Sequence, residues 1–403
     1  MFGGIYTNSI KEKSRRTQII SDYDTVVIGG GIAGISAALA ARRNGNSVLL
    51  VERGFILGGL ATSGLVTLYL PLCDGNGKQV TFGIAEELLR LSVKCGQEGI
   101  NCRCWLEAGS LEERRSNRFQ THFNPQLFAV LAEQLLLREG VEILYGSLFC
   151  AVQMKNHRIT HIILENKSGR QAYAVKNVVD ASGDADVCRF AGESTIIFGQ
   201  GNIPAAWYYA AENGRYVLHA LGAADIPDSQ KTDKQIESDR KEPRYTGLDA
   251  DELTKLEIYS HQWMMQDFLK NGQETAEHAL ATMATTPQLR MTRRIDGVYT
   301  MDDNESHKHF SDSVGLFADW RKRGTVYELP FSTLYGKTVS NLITAGRCIS
   351  VTDAMWDATR VIPVCAVSGE AAGTAVAITD CFADISIDTL QKTLAANGVK
   401  LHE

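Results

Sequence analysis

Residues 25–34 read Thr-Val-Val-Ile-Gly-Gly-Gly-Ile-Ala-Gly, and Glu52-Arg53 follow after room for one helix and one strand. Thr25 to Ile28 is a short apolar run, the pattern of a buried parallel strand. Gly29, Gly31 and Gly34 then fall at the G-x-G-x-x-G spacing of a dinucleotide-binding turn. At such a turn the first glycine permits the tight reversal, the second lets a pyrophosphate approach the backbone, and the third lets the helix pack on the strand. The pyrophosphate rests on free N–H groups and the positive dipole end of the helix, which begins near Ile32 and Ala33. That small-residue helix covers 32–44 and stops at Gly45, and a second apolar strand over 47–51 ends at Glu52. A carboxylate there accepts both hydroxyl protons of an adenosine ribose and repels a 2′-phosphate.

The rest of the composition narrows the class. A chain of 403 residues has room for two domains and a large core. Its hydrophobic fraction of 44% and charged fraction of 22% are those of a globular protein. The net charge of −6 argues against a nucleic-acid surface, and no apolar stretch reaches the length of a membrane span. Residues 1–21 carry Lys11, Lys13, Arg15 and Arg16 without an apolar core, so they read as an N-terminal arm rather than a secretory signal. Nine cysteines at scattered spacing fit reduced thiols and a cytoplasmic location. Cys95, Cys102 and Cys104 cluster without a fourth ligand at a familiar spacing, so no metal is expected.

Periodicity and caps predict the remaining elements. A second glycine-rich stretch, 58–64, brings backbone near a ligand again, and apolar spacing predicts a helix over 82–94. Asn124-Pro125 opens a helix that ends at Gly140. A third buried strand is expected over 141–145, then an antiparallel meander over 147–153, 158–165 and 170–175. A further parallel strand over 177–181 ends in Asp-Ala-Ser-Gly-Asp-Ala-Asp. The middle reads as a separate α+β unit with an amphipathic helix over 249–271 and a strand-like run over 288–300. The last buried strand, 341–345, leads through Gly346-Arg347 and a loop at 351–357 to a small-residue helix opened by Pro363. A short helix over about 388–396 closes the pattern.

Together these stretches resemble the glutathione-reductase-like FAD-dependent oxidoreductases, and more narrowly the bacterial "FAD dependent oxidoreductase" family of largely unassigned substrate. The matching residues are 24–53, 55–62 (F-I-L-G-G-L-A-T), 123–126, 165–170, 179–186, 290–297 (R-M-T-R-R-I-D-G) and 341–375. The resemblance implies an α/β fold: a Rossmann-like FAD-binding domain (parallel sheet, helices, antiparallel β-meander) over 22–193 and 336–403. An α+β substrate domain is inserted over 194–335. It also implies FAD bound in extended form. Gly29, Gly31, Ile32, Ala33 and Gly34 hold the pyrophosphate, and Glu52 and Arg53 lie at the ribose. Phe149 presents backbone to the adenine, and Ala181, Ser182 and Gly183 close over the nucleotide half. Gly59, Leu60, Ala61 and Thr62 run beside the isoalloxazine. Gly346 and Arg347 meet the ribityl chain, and the helix from Pro363, with Ile362 just before it, aims its positive end at the flavin.

The expected chemistry is hydride transfer between flavin N5 and a small organic substrate, anionic if arginines anchor it. Arg290, Arg294 and Arg360 are the candidate anchors, because guanidinium binds carboxylate in bidentate fashion. His307 and Asp353 are candidate proton carriers, with His122, His309 and Asp357 as further options. Members of the family often carry a histidine in the loop after Ala-Gly-Arg, and here that loop has none. Cys348 is a candidate flavin-adjacent thiol, but the C-x₄-C pair of disulfide reductases is missing near Glu52. No second glycine motif follows a strand, so the electron donor or acceptor shares the substrate entrance or is another carrier. Neither nucleic acid nor membrane is expected as a partner, and the oligomeric state stays open. A non-catalytic FAD-binding subunit and a flavoprotein acting on tRNA are the alternatives.

Overall fold

The computed structural model describes residues 10, 12, 14–95, 102–222, 227–239, 243–270 and 272–403, so much of the N-terminal arm lies outside the described residues. β1 (Gln18–Ile28), α1 (Ile32–Arg43) and β2 (Val48–Val51) form the opening unit. The turn between β1 and α1 requires its glycines. Gly29 has a φ of 103°, and a Cβ on Gly34 would overlap the carbonyl oxygen of Gly29. β1 starts earlier than the apolar run, because residues 18–22 are exposed yet held by strand pairing rather than burial.

Short elements follow: β3 (Leu68–Tyr69), α2 (Ile84–Ser92), α3 (Arg103–Leu106), α4 (Leu111–Ser116) and β4 (Thr121–His122). α5 (Pro125–Glu139) is delimited by its own sequence. Asn124 accepts the N–H of Leu127 at 3.0 Å, Pro125 opens the first turn, and Gly140 leaves at a φ of 83°. β5 (Glu142–Leu144), β6 (Leu148–Lys155), β7 (Arg158–Asn166) and β8 (Gly169–Asp180) come next, and α6 (Asp186–Ala191) follows. The expected meander strand at 170–175 and parallel strand at 177–181 are one strand, β8. Its first part pairs antiparallel with β7 on one edge (Ile162 opposite Tyr173), while its other edge runs parallel to β1 from Gln171 to Asp180 (Val27 opposite Val179). β5 is an edge strand, so Glu142 is exposed and its neighbours only half-buried, against the expectation of a buried strand.

The stretch expected as an insertion contains β9 (Thr195–Ile197), β10 (Ala206–Glu212), β11 (Arg215–Leu221), α7 (Asp233–Asp239), α8 (Ala250–Lys270), β12 (His278–Met283), β13 (Arg293–Ile295), β14 (Ser313–Ala318) and β15 (Val326–Pro330). β16 (Leu342–Thr344), α9 (Asp353–Thr359), α10 (Ile362–Ile378) and α11 (Ile387–Ala396) complete the chain. The main sheet has seven strands in the order β5-β2-β1-β8-β7-β6, with β16 parallel to β8. A three-stranded sheet, β11-β10-β12, packs on α8 around its own core of Tyr208, Met264 and Phe268. The β14–β15 hairpin instead buries Phe317, Tyr327 and Leu329 in the main core with α1 and α10.

Two expectations for this half need correction. The strand-like run over 288–300 contains only β13, because the Asn202 side chain takes the N–H groups of Arg290 (3.2 Å) and Met291 (3.1 Å) out of any ladder. The loop at 351–357 is largely α9: Thr352 accepts the N–H of Met355 at 3.3 Å and caps a short helix. Among the described residues no single helix is long and apolar enough to cross a membrane; α9 and α10 reach that length only together and bend by 91° between them.

Candidate functional site

At the phosphate end, a Cβ on Gly31 would meet only the Cα of Gly59, at 4.0 Å, so the backbone stays open to a ligand there. The N–H of Gly58 donates to Gly30 O at 2.8 Å and brings residues 58–62 against the turn. Gly59, Leu60 and Ala61 make one 3-10 turn there, and the Thr62 hydroxyl donates to Leu57 O at 2.5 Å. Glu52 is aimed by its own backbone surroundings: Oε2 accepts the N–H of Gly30 and Oε1 that of Gly54, each at 2.7 Å. Arg53 reaches Thr286 at 3.3 Å, toward the inserted unit. The N–H groups of Gly146 and Ser147 donate to the carbonyls of Gly54 (3.1 Å) and Glu52 (3.2 Å), so β6 starts beside Glu52, the acid expected at the ribose. Phe149, on that strand, meets Phe190 edge-on with ring centroids 5.5 Å apart.

The middle of the site is where separate strands end together. Ala181 N donates to Ile28 O at 2.9 Å, and Ala345 N to Asp180 O at 3.1 Å. The Ser182 hydroxyl donates to the buried Asp180 at 2.6 Å, and Gly183 at a φ of 84° leaves room for the Arg347 guanidinium beside it. Gly346 donates its N–H to Ser368 Oγ at 2.9 Å and passes so close to α1 that a Cβ would stand 2.8 Å from that of Ala33. Ile32 and Ala33 at the start of α1 and Ile362 and Pro363 at the start of α10 are buried around this point. The N-termini of α1 and α10 are thus brought to the same strand ends, with Glu52 bonded to the turn before α1. The open backbone at Gly31 and the paired helix ends fit an extended FAD.

Beyond α10 lies a group of buried arginines. Arg290 is 4% exposed, its Cζ lies 5.2 Å from the Trp207 ring centroid, and its Nε and Nη2 have no hydrogen-bond partner. Burial, then the charges of Arg360 and Arg347, push Arg290 down to about 9, with Asp357 opposing, so it remains a cation at neutral pH. Arg294 is 5% exposed and lies over Trp356 at 5.5 Å; its Nη2 stands 3.6 Å from Asp353, while Nε and Nη1 are unpartnered. Arg360 pairs with the fully buried Asp357 and keeps an unpartnered Nε. Asp357 is also held by Arg321 at 3.1 Å. Of the seven buried, unpartnered side-chain N and O atoms among the described residues, five belong to Arg290, Arg294 and Arg360. Arg290 and Arg360 are close enough to repel one another, whereas Arg294 faces Asp353 and Trp356; buried donors left without a partner are uncommon and are often met by a ligand. Arg293 differs: it donates to Asp184 O at 2.8 Å and pairs with Asp186 at 2.6 Å, which ties β13 to the loop before α6.

The other sequence candidates lie elsewhere or are differently engaged. Asp353 is in the first turn of α9, facing Arg294. His307 is half-exposed and pairs with Glu403 at 2.8 Å, away from the arginine group. His309 lies against Glu328, and His122 is exposed on β4. Cys348 is fully buried, accepts the N–H of Ala185 at 3.3 Å, and burial pushes its thiol well up, so it is a core residue rather than a reactive thiol. All nine cysteines are free.

Sequence reading missed Trp207 and Tyr209. Both lie on β10, two apart and so on one face, while Tyr208 turns to α8. Tyr209 OH and Thr67 Oγ1 are 2.6 Å apart, Gln288 donates to Gly64 O at 2.6 Å, and Thr285 N to Ser63 O at 2.8 Å. These bonds hold the inserted sheet against the segment expected beside the flavin. The aromatic run Trp207-Tyr208-Tyr209 has strand-like composition, but only tertiary pairing shows what each ring faces.

The α/β fold and the glycine turn closed by Glu52 are those of a nucleotide-binding protein. The chain belongs to the FAD dependent oxidoreductase family, which it matches over residues 24–245 and 202–394. It is an enzyme and its cofactor is FAD. A thioredoxin reductase of Ureaplasma parvum is 38% identical over 71 residues, 18% of this chain and 23% of that protein. Among solved structures, a geranylgeranyl bacteriochlorophyll reductase-like protein of Thermoplasma acidophilum aligns with a TM-score of 0.47 at 14% identity, covering 95% of this chain and 93% of that one. A flavocytochrome c3 fumarate reductase aligns with a TM-score of 0.44 at 14% identity, covering 89% and 78%.

Proposed function

We propose that the enzyme oxidises or reduces a small organic carboxylate held between Arg290 and the inserted sheet. The flavin, when bound, supplies the two-electron chemistry at N5. The observation that carries the reading is the set of unpartnered guanidinium nitrogens on Arg290, Arg294 and Arg360, at positions almost closed to water. Arg290 presents Nε and Nη2, two donors in one plane, to a carboxylate, and Trp207 supplies a flat apolar wall beside it. Asp357 and Arg321 fix Arg360, so its remaining donor is already placed. The positive end of α10 favours negative charge at the flavin.

For the accompanying proton the reading assigns Tyr209. Burial raises its hydroxyl above the ordinary tyrosine value, so it is protonated at neutral pH and can donate, with Thr67 orienting it. Asp353 is placed to orient Arg294, and His307 has no part in the chemistry. The reading further takes the enzyme as cytoplasmic, acting on a free metabolite rather than on nucleic acid or at a membrane, with its electron partner using the same opening.

Anaerobic bleaching of the bound flavin tests this. A panel of hydroxy, amino and unsaturated carboxylic acids is compared with the matching amides and methyl esters. Bleaching by an acid and not by its amide or ester is expected. Equal or faster bleaching by the neutral compounds would overturn the proposal.

A further inference from the structure

We propose that His309, Glu328 and His402 form a binding site for a divalent transition metal of the zinc type, which staples the end of the chain to the β14–β15 hairpin. The three ligand atoms all lie within 4.8 Å of one another. Glu328 stands on β15, 4% exposed; its Oε2 accepts the N–H of Phe310 at 2.7 Å, which leaves Oε1 for a ligand. His402 Nδ1 is 3.0 Å and His309 Nδ1 3.5 Å from that oxygen.

The second observation is one of direction. His402 Nδ1 is buried and close to Glu328, yet it makes no hydrogen bond. The two ligand atoms lie side by side rather than donor to acceptor, the relation expected of groups that converge on a common centre. The His309 and His402 rings are tilted by 41° with centroids 4.6 Å apart, so they are not paired by stacking. Two imidazoles and one carboxylate are a borderline donor set that suits Zn²⁺, Co²⁺ or Ni²⁺ and not Mg²⁺. The His309 side chain is 70% exposed, so a fourth position opens to water.

His402 is presented on backbone that is already docked. Ser313 Oγ donates to Leu401 O at 2.6 Å, and Val399 is buried. An ion therefore cross-links segments that are already in place, and little ordering opposes its binding. The neighbouring His307–Glu403 pair is satisfied within itself and provides a control on the same surface. The ligands are too far apart in the chain for any spacing motif to have shown them.

The test is calorimetric titration of FAD-loaded, untagged, chelator-stripped protein with Zn²⁺, and with Mg²⁺ for comparison. The proposal expects saturable uptake of one Zn²⁺ per chain, no uptake of Mg²⁺, and a raised thermal midpoint with Zn²⁺. His309→Ala and His402→Ala, both at positions open enough to leave folding intact, are expected to weaken binding about ten-fold or more. His307→Ala is expected to bind as the parent does. Absence of saturable Zn²⁺ binding, or equal binding by the His309 and His402 variants, would overturn it.

Discussion

Gly369 of α10 lies against Ala33 of α1 so closely that a Cβ on Gly369 would overlap the Ala33 carbonyl oxygen and stand 2.9 Å from the Cβ of Ser36. One turn on, Gly373 repeats the contact with Ala37 and Ala40. Helix backbones that touch in this way fix the separation of their N-termini, the two ends proposed to meet the pyrophosphate and the flavin. Gly369→Ala is expected to force the helices apart, lowering stability by about 1–3 kcal/mol and weakening FAD binding. Denaturant midpoints and fluorescence titration with FAD check both effects.

Glu52 accepts two backbone N–H groups with its two oxygens, from Gly30 and Gly54. Hydrogen bonds to a charged group contribute about 1.5–3 kcal/mol each. Glu52→Ala is expected to loosen the turn and remove the ribose acceptor, weakening FAD by about ten-fold or more. FAD retention on dialysis and a titrated Kd measure it.

Glu370, in the middle of α10, is 3% exposed and accepts the N–H of Ile84 at 2.8 Å beside a cavity of about 440 Å³ lined by Phe82, Arg43 and Arg90. Burial, reinforced by Glu87, lifts its carboxyl from 4.5 to about 8, against the Ile84 N–H and Arg43. The folded state therefore binds a proton that the unfolded chain has released between those values. The contribution is fully present below 4.5 and is lost as pH rises through 8, at about 1.4 kcal/mol per pH unit. Glu370→Gln is expected to flatten this slope, and urea midpoints across that range for both proteins show whether it does.

Arg290 and Asp357 have opposite signatures. Arg290 is buried with two unpartnered nitrogens, so Arg290→Met is expected to leave thermal stability unchanged or higher while abolishing turnover. Asp357, itself fully buried, joins Arg321 and Arg360 in one network, so Asp357→Ala is expected to cost about 3–5 kcal/mol. Parallel thermal melts and turnover assays separate a binding cation from a structural anion.

Local signals carried much of the fold. The glycines at 29–34, the Asn124-Pro125 cap and the Gly140 stop each act through backbone geometry within a few residues, so they were legible. β8 was divided because a strand that stays parallel to β1 while exchanging β7 for β16 on its other edge shows no such arrangement in its own sequence, and α9 was missed because seven residues are too few to show periodicity. The arginine triplet was visible, but the separate tasks of Arg290, Arg293 and Arg294 depend on Trp207, Asp186 and Trp356, which only folding brings near. His307 looked available as a proton carrier because nothing in the sequence places Glu403 beside it.

The central claim is that Arg290 holds a carboxylate at the flavin. The most direct measurement is the anaerobic titration of small mono- and dicarboxylates into FAD-loaded protein, followed by the change in flavin absorption, in the parent and in Arg290→Gln. A saturable change in the parent that weakens about ten-fold or more in the variant, with FAD occupancy equal, is the predicted result. No response to any carboxylate, or equal affinity in the two proteins, would contradict it.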